Sequence, residues 1–280
     1  MPRPTVSRLL VPALVIGVTA TGAVLGTRWA AAELAPARCT FSAADREVRL
    51  TPEQAANAAT IAAVAVQRGL PPRAATIALA TAIQESKLRN LRYGDADSQG
   101  LFQQRPSQGW GTVEQVTDPV YASNAFYDEL IEVRGWDEGV VTEVAQEVQR
   151  SAFPDAYADH EWEGRVLASV LTGQEGAGTG LDCRLGGRAG TGSAQEVADK
   201  AAAQLGLTGR PDGRLVLLET GDPARAWAAA TWAVSHAQAE EIVRVQVQGR
   251  AWDRASGTWS DADDDGAASG SPTTVVVEVG

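Results

Sequence analysis

The segment that most restricts the fold begins at Pro71-Pro72 and runs to Leu88. A proline at the first helical position starts a helix. Ala74, Ala75, Ile77, Ala78, Leu79, Ala80, Ala82 and Ile83 then make that helix apolar on nearly every side. A helix with no polar face has no side to give to water, so it has to lie at the centre of a domain with other elements wrapped around it. It ends in Gln84-Glu85-Ser86-Lys87, which sets a carboxylate where greasy packing meets polar chain.

The flanking sequence supplies the wrapping. Residues 33–50 read as a linker. Thr51-Pro52-Glu53-Gln54 then gives a cap, a proline at the first helical position and a capping-box glutamine, for a helix ending near Gly69. Residues 90–111 turn to Gly, Asp, Ser and Gln and predict loops or a small hairpin. Asp118-Pro119 opens a third helix to about 133, Thr142 caps a fourth to about 152, and Asp155 caps a fifth that closes at Gly173. Residues 51–173 are therefore expected to form a mainly α domain. Gly-rich residues 174–192 read as a linker. Residues 193–280 alternate helix (194–205), strand (215–219), helix (223–237) and strands (242–247, 273–279), a small α/β (α+β) domain. Its Trp227, Trp232, Trp252 and Trp259 are most simply core, and the unit reads as a binding or docking module.

Arg3 and Arg8 precede Leu9 to Gly26, eighteen residues without a charge, enough to cross a bilayer as a helix. Residues 1–32 are thus an export segment. The length of the run favours an uncleaved single-pass membrane anchor, while Ala30-Ala31-Ala32 is a processing site that would release a secreted protein. Cys39 and Cys183 both follow it, in a compartment where disulfides persist, and are expected to pair. A net charge of −11 without a basic stripe argues against nucleic acid as a partner. Two histidines, His160 and His236, are too few and too separated for a metal site or a Ser/His/Asp triad. Asp261 to Gly266 copies the first half of a calcium loop, but Pro272 stands where the bidentate glutamate belongs. No metal or cofactor is expected.

The chemistry is concentrated in Glu85-Ser86 and in the following Tyr93-Gly94-Asp95-Ala96-Asp97-Ser98-Gln99-Gly100-Leu101-Phe102-Gln103-Gln104. Cleaving a glycosidic bond requires an acid still protonated near neutral pH, with its pKa raised by burial or a negative field. Glu85 meets both conditions: its apolar helix desolvates it, and the helix C-terminus adds partial negative charge. Glu85-Ser86 on a helix end followed by Gly100-Leu101-Phe102-Gln103 resembles the goose-type lysozyme and soluble lytic transglycosylase superfamily of bacterial cell-wall enzymes. Phe102 stands where that family's run has methionine. The resemblance covers about residues 50–173.

It implies a lysozyme-like fold with a saccharide groove for peptidoglycan strands, Glu85 as the acid, and Ser86 and Gln103 near the reacting sugar. Gln104, Tyr93 and Trp110 are further candidates for the groove, the last two as stacking platforms. The family's later tyrosine motif has its best counterpart in Phe153-Pro154-Asp155-Ala156-Tyr157, making Tyr157 the candidate partner of the catalytic carboxyl. One carboxyl suffices to form a 1,6-anhydro product, whereas hydrolysis needs a second. Asp95 and Asp97 are the candidates for that second carboxylate, although aspartates in such stretches more often tie down turns. A non-catalytic wall-binding or scaffold protein that keeps the fold is the rival expectation.

Overall fold

The computed structural model describes residues 36–149, 154–174, 180–262 and 271–280, with the side chains of 154–156 left aside. The expected export segment, Phe153 and most of the acidic loop after Asp261 lie outside the described residues. Among the described residues, no helix is long and apolar enough to cross a membrane. All elements belong to one compact unit, residues 37–185 and 189–280; residue 36 and residues 186–188 stand outside it and carry no element.

The chain is α+β, with eight α-helices and two antiparallel sheets among the described residues. Strands β1 (Arg38–Ala43) and β2 (Arg46–Leu50) form a hairpin, and β3 (Leu181–Arg184) adds to it in the order β2-β1-β3. The helices follow as α1 (Pro52–Gln67), α2 (Pro72–Ser86), α3 (Val113–Val116), α4 (Pro119–Glu132), α5 (Val141–Gln149) and α6 (Glu161–Leu171). After β3 come α7 (Ala194–Leu205), β4 (Gly209–Asp212), β5 (Leu215–Glu219), α8 (Pro223–His236), β6 (Ile242–Val247), β7 (Arg250–Asp253), β8 (Thr258–Asp261) and β9 (Thr274–Val279). The second sheet runs β4-β5-β9-β6-β7-β8.

Four expectations need correction. Residues 38–50 are a hairpin and not a linker, because Cys39, Phe41, Ala43, Val48 and Leu50 alternate into the core with period two. The Gly-rich stretch 174–192 contains β3, which the Cys39–Cys183 disulfide locks in register opposite β1. The helix expected from Asp155 begins only at Glu161, after a 3₁₀ stretch Pro154–His160. Thr142 lies inside the first turn of α5 and not before it. The capping box at Thr51 and Gln54 forms as the sequence predicts. The bridge spans 144 residues, and the loop-entropy model credits closure of so long a loop with about 5 kcal/mol, an upper figure.

Helix α2 is central. Ala74 to Ala82 are all buried, and α1 and α6 pack along it. The close approach of α6 depends on Gly164, where a Cβ would stand 2.6 Å from the Thr76 carbonyl of α2. The core continues from these helices into α7, α8 and the second sheet, with Trp227, Trp232 and Trp252 inside it.

A buried polar junction joins three helices within that core. Gln204 Oε1 of α7 accepts from Trp232 Nε1 of α8 (2.7 Å) and from Thr60 Oγ1 of α1 (3.1 Å). His236 lies beside them, its Nδ1 at 2.9 Å from the Trp232 carbonyl. Burial holds the imidazole neutral and lowers its pKa to about 4, so the unfolded chain binds the His236 proton first as pH falls. The stability this group contributes is present above pH about 6.5 and lost as pH falls through 4. The urea midpoint should therefore drop between pH 7 and pH 4, and His236→Gln should flatten that drop. An unchanged slope in the variant would assign the acid sensitivity elsewhere.

Candidate active site

Glu85 is the penultimate residue of α2. The helix stops there because Lys87 and Leu88 turn left-handed (φ 54° and 57°), returning their N–H groups to Ile83 and Ala82. Two α1 side chains take the carbonyls left open: Gln54 Nε2 donates to Lys87 O and Asn57 Nδ2 to Leu88 O, each at 2.8 Å. The end of α2 is thus anchored, and Glu85 projects from a fixed point.

The loop that folds back is anchored just as firmly. Ser86 is buried, with Oγ 2.7 Å from the Leu101 carbonyl and 3.0 Å from that of Ala82; its single proton serves one at a time. Gly100 and Leu91 form an isolated bridge, as do Gln99 and Gln104. Leu101 and Phe102 enter the core, where Phe102 stacks on Phe126 with ring centroids 4.7 Å apart. Gln103 adopts φ 48° and donates from Nε2 to the Tyr93 and Gly100 carbonyls, both at 3.3 Å. Gly94 leaves the space it needs, since a Cβ there would stand 1.9 Å from Gln103 Oε1.

Beside Glu85 stand two hydrogen-bond partners among the described residues. The Tyr157 hydroxyl, on a side chain with no solvent exposure, donates to Glu85 Oε1 at 2.6 Å. Gln149, the last residue of α5, also hydrogen-bonds the carboxyl, and its Nε2 donates to the Phe102 carbonyl at 2.8 Å. Desolvation is the dominant influence on Glu85 and raises its pKa above 4.5; the Tyr157 and Gln149 hydrogen bonds pull it down by less. The result is a half-buried acid that holds its proton to higher pH than a solvated glutamate.

The other residues named from sequence fall into two groups. Gln149 is one wall of a cleft of about 430 Å³ that also includes Trp110, Tyr121, Asp128 and Glu129; Glu85 itself is not among its walls. Trp110 is half-buried there. Tyr93 is 72% exposed on the loop. Gln104, by contrast, is buried, its Nε2 donating to Ala122 O of α4 at 3.1 Å. Asp97 ties down its own turn: it accepts from Ser107 N (2.8 Å), Ser107 Oγ (2.9 Å) and Arg105 Nε (3.0 Å). These bonds, the Ser107 amide foremost, hold its carboxyl at about 2. Asp95 is exposed and accepts Ser98 N at its own carbonyl. Among the described residues, no hydrogen bond or ion pair joins either aspartate to Glu85. Searches against family models and against curated proteins find no match to this chain.

Sequence reading missed Gln149. Its one signal was its place at the end of the amphipathic run Val141, Val144, Ala145 and Val148, which fixes the face of α5 that turns inward.

The Tyr157 bond makes a prediction. With the phenol gone, one of the two bonds that lower the Glu85 pKa is lost, so the carboxyl should stay protonated to still higher pH. In Tyr157→Phe, any activity that needs protonated Glu85 should show its alkaline limb shifted upward, with a peak rate lower by roughly tenfold for one lost charge-assisted bond. A pH–rate profile whose limb stays in place would separate Tyr157 from the titration.

Proposed function

We propose that this protein cleaves the glycan strands of peptidoglycan, with Glu85 as general acid and base on a lysozyme-like framework. The observation that carries the reading is the 2.6 Å bond between a buried tyrosine and a half-buried helix-end glutamate, beside the loop carrying Gly100-Leu101-Phe102-Gln103. Protonated Glu85 gives its proton to the glycosidic oxygen as the bond to the sugar's C1 breaks. The resulting carboxylate then takes the proton of the same sugar's 6-hydroxyl while that oxygen closes on C1. Nothing else is consumed, and a 1,6-anhydro end is the product.

Hydrolysis would instead need a second carboxylate to hold water. The Asp97 carboxylate is committed to Ser107 and Arg105, and Asp95 is exposed with no hydrogen bond or ion pair to Glu85 among the described residues, which favours the anhydro-forming route. The cleft beside Gln149, with Trp110 and Tyr121 in its walls, is where the strand would lie. The proposed location is outside the cytoplasm, held or released by residues 1–32, and the Cys39–Cys183 disulfide suits an oxidising compartment. No cofactor is invoked.

The test is to incubate purified peptidoglycan sacculi with the protein and to read the soluble fragments by mass spectrometry. Fragments with 1,6-anhydro ends are expected. Reducing ends would overturn the anhydro-forming route, and Glu129→Gln would then ask whether that carboxylate of the cleft holds the water. Co-sedimentation with sacculi without release of fragments would overturn cleavage and favour a wall-binding scaffold.

A further inference from the structure

A second cavity, of about 760 Å³, is larger than the cleft beside Gln149 and is built from the β1–β2 turn, the start of α2 and the outer face of α6. It is separate from Glu85. Thr76, which lines it, precedes Glu85 by nine residues, which at about 100° and 1.5 Å per residue is the opposite side of α2 and about 14 Å along its axis.

Its charge is out of keeping with the rest of the chain. In a protein of net charge −11, three arginines, Arg46, Arg73 and Arg165, line this cavity against one carboxylate, Glu161, among the described residues. Glu161 is taken by Arg165, its Oε1 3.0 Å from Nε. The Arg73 guanidinium donates to the carbonyls of Trp136 and Gly139, which hold it in place without cancelling its charge. Arg46 has no carboxylate partner among the described residues; its guanidinium lies 5.4 Å from the ring centroid of Trp162, an indole left 37% exposed in the first turn of α6. Two guanidinium charges thus stand beside a flat aromatic surface with no compensating acid among the described residues, and Pro72 and Val166 add apolar wall.

We infer that this cavity is a binding site for an oxyanion, a carboxylate or phosphate, carried on a flat or apolar body. Arg46 and Arg73 receive the anion, for which the planar guanidinium fork is suited. The body lies along Trp162 and Val166, within the size range of small-molecule sites.

Calorimetric titration of the full chain with benzoate, phenyl phosphate and neutral benzamide tests this directly. At least one of the two anions should bind saturably, at least tenfold more tightly than benzamide, and more weakly as salt is raised. Preference between benzoate and phenyl phosphate identifies the natural anion as carboxylate or phosphate. Arg46→Ala should weaken the anion about tenfold or more, and Trp162→Ala should weaken all three probes. Arg46 is exposed, so its removal should leave the unfolding midpoint unchanged. Glu85→Gln should bind the anion as wild type does, which keeps this site independent of the cleavage proposal. Benzamide binding as well as the anions, affinity unchanged in Arg46→Ala, or no saturable binding of either anion would each overturn the inference.

Discussion

Glu85→Gln protein is expected to release glycan fragments from sacculi about 100- to 10,000-fold more slowly than wild type, the range that a positioned proton donor contributes. The substitution isolates chemistry from shape. The amide oxygen of glutamine still accepts the Tyr157 phenol, and the side chain keeps its volume, so the cleft and the loop anchored by Ser86 should be undisturbed. What is lost is the proton that must reach the leaving oxygen and the base that must later collect one. A stability measurement checks that the fold is intact, and its sign follows from burial. The Glu85 pKa is raised on folding, so the stability it contributes is complete below its ordinary value of 4.5 and is lost as pH rises through the raised folded value. Glutamine has nothing to ionise and suffers no such loss. The variant should therefore gain on wild type in urea as pH rises from 4.5 toward 8, while losing activity throughout. Clearing at the wild-type rate would remove Glu85 from the reaction.

That glutamate was legible in the sequence for a physical reason. An all-apolar helix has to be central, and the residue at its polar end sits at the boundary where a carboxyl is desolvated without being sealed off. Tyr157 was legible only through the family resemblance, because a tyrosine 72 residues away carries no local sign of where its hydroxyl will point. Gln149 carried even less: its hydrogen bonds to the Phe102 carbonyl and to Glu85 depend on how α5 docks, which is a tertiary fact. Ser86 and Gln104 show the reverse effect. Both sit in the motif stretch, yet their side chains are spent on the Leu101 and Ala122 carbonyls, so they hold the loop in place. The β1–β2 hairpin escaped because its strands are five and six residues long and carry charged residues, Arg46, Glu47 and Arg49, between the buried ones. The third strand that completes its sheet lies more than a hundred residues downstream.

Gly100→Ala should be the most damaging single methyl group in the loop. A Cβ at Gly100 would stand 2.0 Å from the Val116 carbonyl oxygen of α3 and 3.1 Å from its carbon, both backbone atoms that cannot rotate away. The residue also sits at φ +80°, where an L side chain is strained even in open space. The left-handed conformation costs roughly 1–2 kcal/mol and the overpacking roughly 1–3 kcal/mol more, so a total of roughly 2–5 kcal/mol is expected. The chain can relieve the clash only by moving the loop off α3, breaking the 2.7 Å bond from Gly100 N to the Leu91 carbonyl. Leu101 and Phe102 follow directly, and their carbonyls are the groups that Ser86 and Gln149 hold. Cleavage should consequently fall by more than tenfold even at temperatures where the protein stays folded. Gly109→Ala is the matched control: φ is +86°, yet no atom lies within 4 Å of the added carbon, so only the conformational cost of roughly 1–2 kcal/mol applies. Urea unfolding of the two variants side by side separates strain from contact. Equal midpoints would mean that α3 yields to the loop, and the close approach at Val116 would then have no part in fixing the loop beside Glu85.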